Sequence, residues 1–207
     1  LPYTRSMAFL ESREMAVLTS ESALYYTLDG RPILKSPQII PYDPVAAAKG
    51  GYKHFMLKEI MEQARAVTDT IRGKDDLENA DIVLEDVPFS DAELQKINRV
   101  VIVACGSSWH AGQIGKFLIE NLAKIPAEVD YGPEFRYRQP LLDENTLLVS
   151  ISQSAETADT LAAMEEGKLQ GTKQMTVCNT IDSQATRITA GLIYRHAAPE
   201  VGVYASK

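Results

Sequence analysis

The sequence is poor in the residues that build disulfide frameworks and metal sites. Its 207 residues hold only two cysteines, three histidines and one tryptophan. Cys105 and Cys178 each close an apolar run (Val-Ile-Val-Ala-Cys and Met-Thr-Val-Cys), which excludes a disulfide scaffold and reads as buried thiols in a reducing compartment, the cytoplasm. His54, His110 and His196 are widely spaced and without neighbouring ligands, so no zinc site is indicated, and no cofactor is implied. No run approaches the roughly 18 apolar residues of a membrane span. The start, Leu1-Pro2-Tyr3-Thr4-Arg5, has no apolar stretch of the secretory type. It is also not a methionine, which reads as a fragment or a processed chain. Basic residues are not in surplus either: 21 Lys and Arg against 28 Asp and Glu give a net charge of -7, which disfavours a partner held by its phosphate backbone, such as nucleic acid. The Gly-x-x-x-x-Gly-Lys loop and the Gly-x-Gly-x-x-Gly fingerprint are both missing, which argues against nucleotide binding.

What is present is a globular composition, 45% hydrophobic and 24% charged, long enough for one full domain and a smaller piece. Pro2, Pro32, Pro37, Pro41 and Pro44 crowd the first part of the chain, where short apolar runs (Met7–Leu10, Met15–Leu18, Leu24–Leu28) are broken by turn signals. This predicts a meander of short strands, too small to bury much of a core, that closes a preceding domain and is joined through Ser36–Gly51 to the rest. The boundary is expected near residue 50. Beyond it, Met56, Ile60, Ala64, Val67 and Ile71 recur at helical spacing and predict a long helix with one apolar face, closed by Gly73. Asp75 to Asp86 holds six acids and no base and reads as a solvated connector. Ser90 and Glu93 form a capping-box pattern that opens a short helix to Ile97.

From Val100 the pattern alternates. Strand-like runs Val100–Ala104, Ala127–Tyr131, Leu147–Ser152, Gln174–Asn179 and Gly191–Tyr194 are separated by helical segments, one with Ile114, Phe117, Leu118 and Leu122 and one with Ala158, Leu161, Ala162 and Leu169. Such alternation predicts a parallel five-stranded sheet covered on both faces, a three-layer α/β/α sandwich like flavodoxin. The first and third strands run into hydroxyl-rich turns, Cys105-Gly106-Ser107-Ser108-Trp109-His110-Ala111-Gly112 and Ser150-Ile151-Ser152-Gln153-Ser154-Ala155-Glu156-Thr157. In open α/β sheets ligands sit outside the carboxyl ends of strands. A helix N-terminus offers unpaired N–H groups and a positive dipole end, and Ser, Thr and Gln add donors, so a small phosphate ester can be held without lysine. One such junction alone is usually a serine N-cap; two on one sheet point to a site. Cys105 and His110 lack a third orienting group and are not read as a nucleophile and its base. Trp109 reads as core. Glu156 must turn its carboxylate away from a bound anion, to cap or to support the loop from behind. The terminal Pro199–Lys207 stretch reads either as a third wall of the same cleft or as a connector.

Five stretches carry a resemblance: His54-Phe55-Met56-Leu57-Lys58-Glu59-Ile60, Cys105–Gly112, Glu134-Phe135-Arg136-Tyr137-Arg138, Ser150–Thr160 and Pro199–Val203. Together they resemble the sugar isomerase (SIS) domain, and within it the glutamine:fructose-6-phosphate aminotransferases. The resemblance implies that residues 1–49 are the end of a glutamine amidotransferase lobe with its linker, and that 50–207 are the first SIS domain with a helical extension. It implies fructose 6-phosphate or glucosamine 6-phosphate as ligand, glutamine as a substrate of a lobe upstream, a homodimer, and proton-transfer and imine-forming groups outside this chain. The contacts it carries over are Ser152, Gln153, Ser154 and Thr157 around the phosphate, Ser107 and Ser108 at the first turn, and Val203 against the sugar. Ser107 stands for the family's threonine and keeps the hydroxyl. Ala155 and Ala198 stand where the family has glycine, so either the local φ is negative or binding is weakened. Val203-Tyr204-Ala205-Ser206-Lys207 stands for Val-Ala-Ser-Thr-Lys, a one-residue shift of a hydroxyl.

A second reading is a sugar-phosphate sensor with an SIS domain and a DNA-binding or enzyme partner. Such a regulator carries a basic helix-turn-helix ahead of the domain, whereas residues 1–49 hold five acids and five bases and look strand-like. A free-standing isomerase is a third, and it leaves the preceding strands unexplained.

Overall fold

A computed structural model describes residues 4–39, 48–76 and 78–207. The chain divides into two compact units, Leu1–Ala48 and Lys49–Lys207. In the first, β1 (Ser6–Met7), β2 (Glu14–Leu18), β3 (Ala23–Thr27), β4 (Pro32–Ile33) and β5 (Gln38–Ile39) are all antiparallel. β2, β3 and β4 form a meander in register Met15↔Tyr26 and Tyr25↔Ile33, and β1 pairs with β5. No described residue of this unit is buried, as expected of a piece too short to enclose a core. Residues 40–47 of the connector Ser36–Gly51 lie outside the described residues, as do 1–3.

The second unit opens with α1 (Phe55–Ile71), ended by an Arg72 N–H bond to the Thr68 carbonyl and by Gly73 at φ +75°. The helix is where the periodicity puts it, but it packs by the opposite side. Met56, Ile60, Val67 and Ile71 are 46%, 41%, 60% and 54% exposed, while Lys58, Glu59 and Ala66 are buried. A small ribbon follows, β6 (Asp75–Asp76) with β7 (Asp81–Ile82), inside the acidic connector. Helix α2 (Asp91–Leu94) is shorter than the stretch to Ile97 that the pattern predicts. The Glu93 carboxylate accepts from the Ser90 N–H at 3.0 Å and hydroxyl at 2.8 Å, and it pairs with Lys173 at 3.0 Å. The Ser90 bonds, ahead of Lys173, hold its pKa down at about 2.

The sheet is built from β8 (Arg99–Ala104), β9 (Ala127–Tyr131), β10 (Thr146–Ser152), β11 (Lys173–Cys178) and β12 (Gly191–Tyr194), all parallel, in the order β12-β11-β10-β8-β9. Between them lie α3 (Gly106–Leu122), α4 (Gly132–Tyr137), α5 (Ala158–Leu169) and α6 (Gln184–Ile188). The strand order is that of flavodoxin, so the three-layer expectation holds. Alternation along β8 sends Val100 and Ile102 to one face, with Ala127, Val149 and Ile119 of α3, and Val101 and Val103 to the other, with Leu148, Phe135 of α4 and Ala163 of α5. A strand buried on both faces must be apolar throughout, which is why it reads Val-Val-Ile-Val-Ala. Each such side chain taken from water stabilises by about 1.5–3 kcal/mol. Gly112 lets α3 lie close to the sheet, since a Cβ there would meet Ile102 Cγ2 at 3.0 Å and Val129 Cγ1 at 3.1 Å. The outer side of α3 is open: Ile114, Phe117, Leu118 and Leu122 are more than half exposed. Among the described residues no helix is long and apolar enough to cross a membrane.

Candidate functional site

The strand order brings together two turns that are far apart in sequence. β8 and β10 are neighbours, in register Ile151↔Ala104, so Cys105–Ser108 and Ser152–Thr157 emerge side by side at their carboxyl ends. Chain connections leave these two strands in opposite directions, the switch point where open α/β sheets form a crevice. A cavity of about 230 Å³ occupies it, and Ser107, Ser108, Ser152, Gln153, Ser154, Thr157 and Val203 all line it. Cys105, Gly106, Thr160, Gly202, Tyr204 and Ala205 complete most of the wall. The C-terminal stretch is therefore a wall of the cleft, and Val203 stands fully exposed there.

Among the described residues none that lines the cavity carries a charge. Donors must come from hydroxyls, the Gln153 amide and the first turns of α3 and α5, whose leading N–H groups have no acceptor within their own helix. Their dipole ends favour an anion. The serines do not serve as N-caps: Cys105 precedes α3 and Thr157 precedes α5, neither with a side-chain capping bond. Helix α3 starts at Gly106, so Ser107 and Ser108 sit in its first turn and not ahead of it.

The 152–157 turn is tied by its own hydroxyls. Ser152 Oγ accepts the Ala155 N–H at 3.0 Å and lies 3.4 Å from Thr157 Oγ1, and Ser154 Oγ accepts the Glu156 N–H at 3.2 Å. Ala155 has φ +55° and Ala198 has φ +59°, so both alanines occupy the left-handed region that glycine suits. Ala155 is 1% exposed, its methyl packed with Leu161, Met164, Cys178 and Ala185, and that burial offsets the strain. Ala198 is exposed and has no such compensation. The Glu156 carboxylate points away from the cavity, accepting the Gln184 N–H at the start of α6 at 2.7 Å.

Cys178 is buried, and burial pushes its thiol up to about 11, well away from nucleophilic use. Cys105 corrects the expectation of two buried thiols: it is only partly buried, lines the cavity and lies 3.7 Å from Thr160 Oγ1. Trp109 stacks on Tyr131 with ring centroids 4.6 Å apart. Among the described residues no group of three or more His, Cys, Asp or Glu could hold a metal ion. Reasoning from sequence passed over Thr160 and, above all, Glu59. Glu59 is a buried acid on α1 whose partners all lie on the Val203 wall. The one signal for it was its place within His54–Ile60.

The SIS domain family profile matches residues 93–206. Over its whole length the chain is 43% identical to a glutamine–fructose-6-phosphate aminotransferase (isomerizing) of Caldanaerobacter subterraneus subsp. tengcongensis, covering 34% of that protein. The chain thus spans about a third of the curated relatives it matches. Among solved structures, the C-terminal domain of glucosamine-fructose-6-phosphate aminotransferase from Francisella tularensis matches 75% of this chain and 43% of its own, at 38% identity and a TM-score of 0.64. Tagatose-6-phosphate ketose/aldose isomerase from Escherichia coli shares the fold over 76% of this chain and 43% of its own, with a TM-score of 0.60 at 17% identity.

Proposed function

The chain belongs to the SIS domain family, and we propose that it is the sugar-phosphate-binding segment of a glutamine:fructose-6-phosphate aminotransferase, which makes glucosamine 6-phosphate from fructose 6-phosphate and glutamine. The observation that carries this reading is the uncharged cavity at the β8/β10 switch point, which collects every residue picked out as a sugar-phosphate contact. In this reading Ser152, Gln153, Ser154 and Thr157 take the phosphate, with the α5 dipole behind them. Ser107 and Ser108 take sugar or phosphate oxygens from the α3 side, and Val203 lies against the carbon face of the sugar.

Among the described residues no carboxylate, imidazole or amine lines the cavity, so the role we assign to this chain is binding and orientation. Proton transfer and imine formation are assigned to groups elsewhere in the enzyme. Residues 1–49 are assigned to the end of the glutamine lobe, the working protein to a homodimer, and its compartment to the cytoplasm. The sensor reading is the weaker one: the described residues of the first unit form strands and no helix-turn-helix.

Calorimetric titration tests the assignment. The chain should bind glucosamine 6-phosphate, bind unphosphorylated glucosamine at least about tenfold more weakly, and lose the preference for phosphate in Ser152→Ala. Equal affinity for the two sugars, or binding indifferent to Ser152, would overturn it.

A further inference from the structure

One face of α1 carries Lys58, Glu59, Glu62 and Ala66 at helical spacing, and this is the side the helix turns inward. Glu59 is 2% exposed. Its Oε1 accepts the N–H groups of Val201 at 2.7 Å and Gly202 at 2.9 Å, and its Oε2 accepts the Ser206 hydroxyl at 3.1 Å. All three donors belong to one short segment, and that segment supplies Gly202, Val203, Tyr204 and Ala205 to the cavity wall. The approach is so close that a Cβ on Gly202 would lie 2.5 Å from Glu59 Oε2. Gly202 is not in the left-handed region, so it is the space taken by Glu59 that demands a glycine. Next to this contact, Lys207 pairs with Glu62 at 2.6 Å and Gln63 Nε2 donates to the Ser206 carbonyl.

We propose that Glu59 is a positioning residue: it holds the 201–206 backbone in place as the sugar-facing wall, and so sets affinity for the sugar half of a hexose phosphate without touching it. The proposal rests on the sugar-phosphate reading above, and it gives that reading a residue outside the segment matched by the family profile, residues 93–206. Burying a polar group is costly unless it is bonded. Here each side satisfies the other: without Glu59, two adjacent N–H groups lose their acceptor, and without the segment, a buried acid loses its donors.

The test uses the 207-residue chain and the variants Glu59→Gln, Glu59→Ala, Gly202→Ala and the double variant Glu59→Ala/Gly202→Ala. Amide hydrogen exchange reads the wall, and calorimetry reads binding of glucosamine 6-phosphate and of inorganic phosphate. In Glu59→Ala, exchange at Val201 and Gly202 should speed up at least about tenfold and affinity for glucosamine 6-phosphate should fall about tenfold, while Glu59→Gln, which keeps a carbonyl oxygen as acceptor, should restore part of both. Inorganic phosphate, held by the 152–157 turn, should bind as before. Gly202→Ala should weaken sugar-phosphate binding similarly, and the double variant should be no worse than Glu59→Ala, because removing Glu59 vacates the space the new methyl needs.

Equal losses for both ligands, fast exchange across the whole sheet, or additive effects of the two positions would reduce Glu59 to a general structural role and overturn the proposal. Fast exchange with unchanged sugar-phosphate affinity would overturn it too. If the unaltered chain bound no glucosamine 6-phosphate, the functional reading would fail, and with it the affinity part of this proposal. The exchange rates and the coupling of Glu59 to Gly202 would still decide whether Glu59 holds the wall.

Discussion

Ser152 bonds the Ala155 N–H three residues away, whereas Val201 and Gly202 are bonded by Glu59 across 142 and 143 residues. The two walls of the cavity are thus held by opposite means. The 152–157 turn is organised by hydroxyls within itself and braced by Glu156 against α6. The 201–206 wall is held largely from α1, with Glu200 adding acceptors for the Ser206 and Lys207 N–H groups. A self-organised turn keeps its shape wherever the strand and helix around it form. A wall held at a distance depends on the packing of a helix that enters the chain far earlier. Anything that shifts α1 should therefore reach the 201–206 wall before the 152–157 turn.

The largest expected effect comes from breaking the local wall. Ser152→Ala leaves the Ala155 N–H buried without an acceptor, and folding stability should fall by about 1–3 kcal/mol in denaturant titration. A loss below a few tenths would mean that the turn does not rely on that hydroxyl.

Acid separates the walls without a mutation. The Glu62 pKa is set by burial, which pushes it up, and by Lys207 and Lys58, which more than offset that and leave it below the ordinary 4.5. A depressed carboxylate contributes stability that is present above its unfolded value and lost as pH falls through the folded one. Below about pH 4.5 the pairing of Lys207 with Glu62 should therefore weaken progressively. Amide NMR signals of 201–207 should shift there while those of Gln153 and Ser154, at the end of the turn away from the Glu156 carboxylate, stay in place. Coincident shifts in both would remove the contrast.

The smallest effect compares the two left-handed alanines. Ala198→Gly relieves about 1 kcal/mol of strain with no buried methyl to lose, so stability should rise by about 0.5–1 kcal/mol. Ala155→Gly relieves similar strain but removes a core methyl worth about 0.8 kcal/mol, and should be close to neutral. Thermal unfolding of the two variants checks this; equal gains would mean that the Ala155 methyl contributes nothing.

Much of this architecture is legible in the residues. The five strands, the two longer helices between them, α3 and α5, and both hydroxyl-rich turns follow from periodicity and turn chemistry, which act over a few residues. The φ of Ala155 and Ala198 is not legible in the residues, since a side chain does not reveal how hard its surroundings press on the backbone. Helices α4 and α6 are not legible because runs of six and five residues are too short to show a period. The long helix shows what periodicity leaves out. Met56, Ile60, Val67 and Ile71 mark it as helical, yet they stay exposed while the polar Lys58–Glu59 side is covered. A hydrophobic stripe identifies a helix, but which side is buried depends on what the rest of the chain brings to it.

By itself, then, the sequence determined the five strands, the longer helices, the parallel α/β class and the chemistry of each turn, because strand period, helix period and hydroxyl-rich junctions are local properties. Only the tertiary structure decided that the first and third strands of the sheet lie side by side, that Val203 faces their turns, and that Glu59 stands behind it. Those are pairings between distant residues, selected by the packing of the whole second unit, and no short stretch of the chain encodes them.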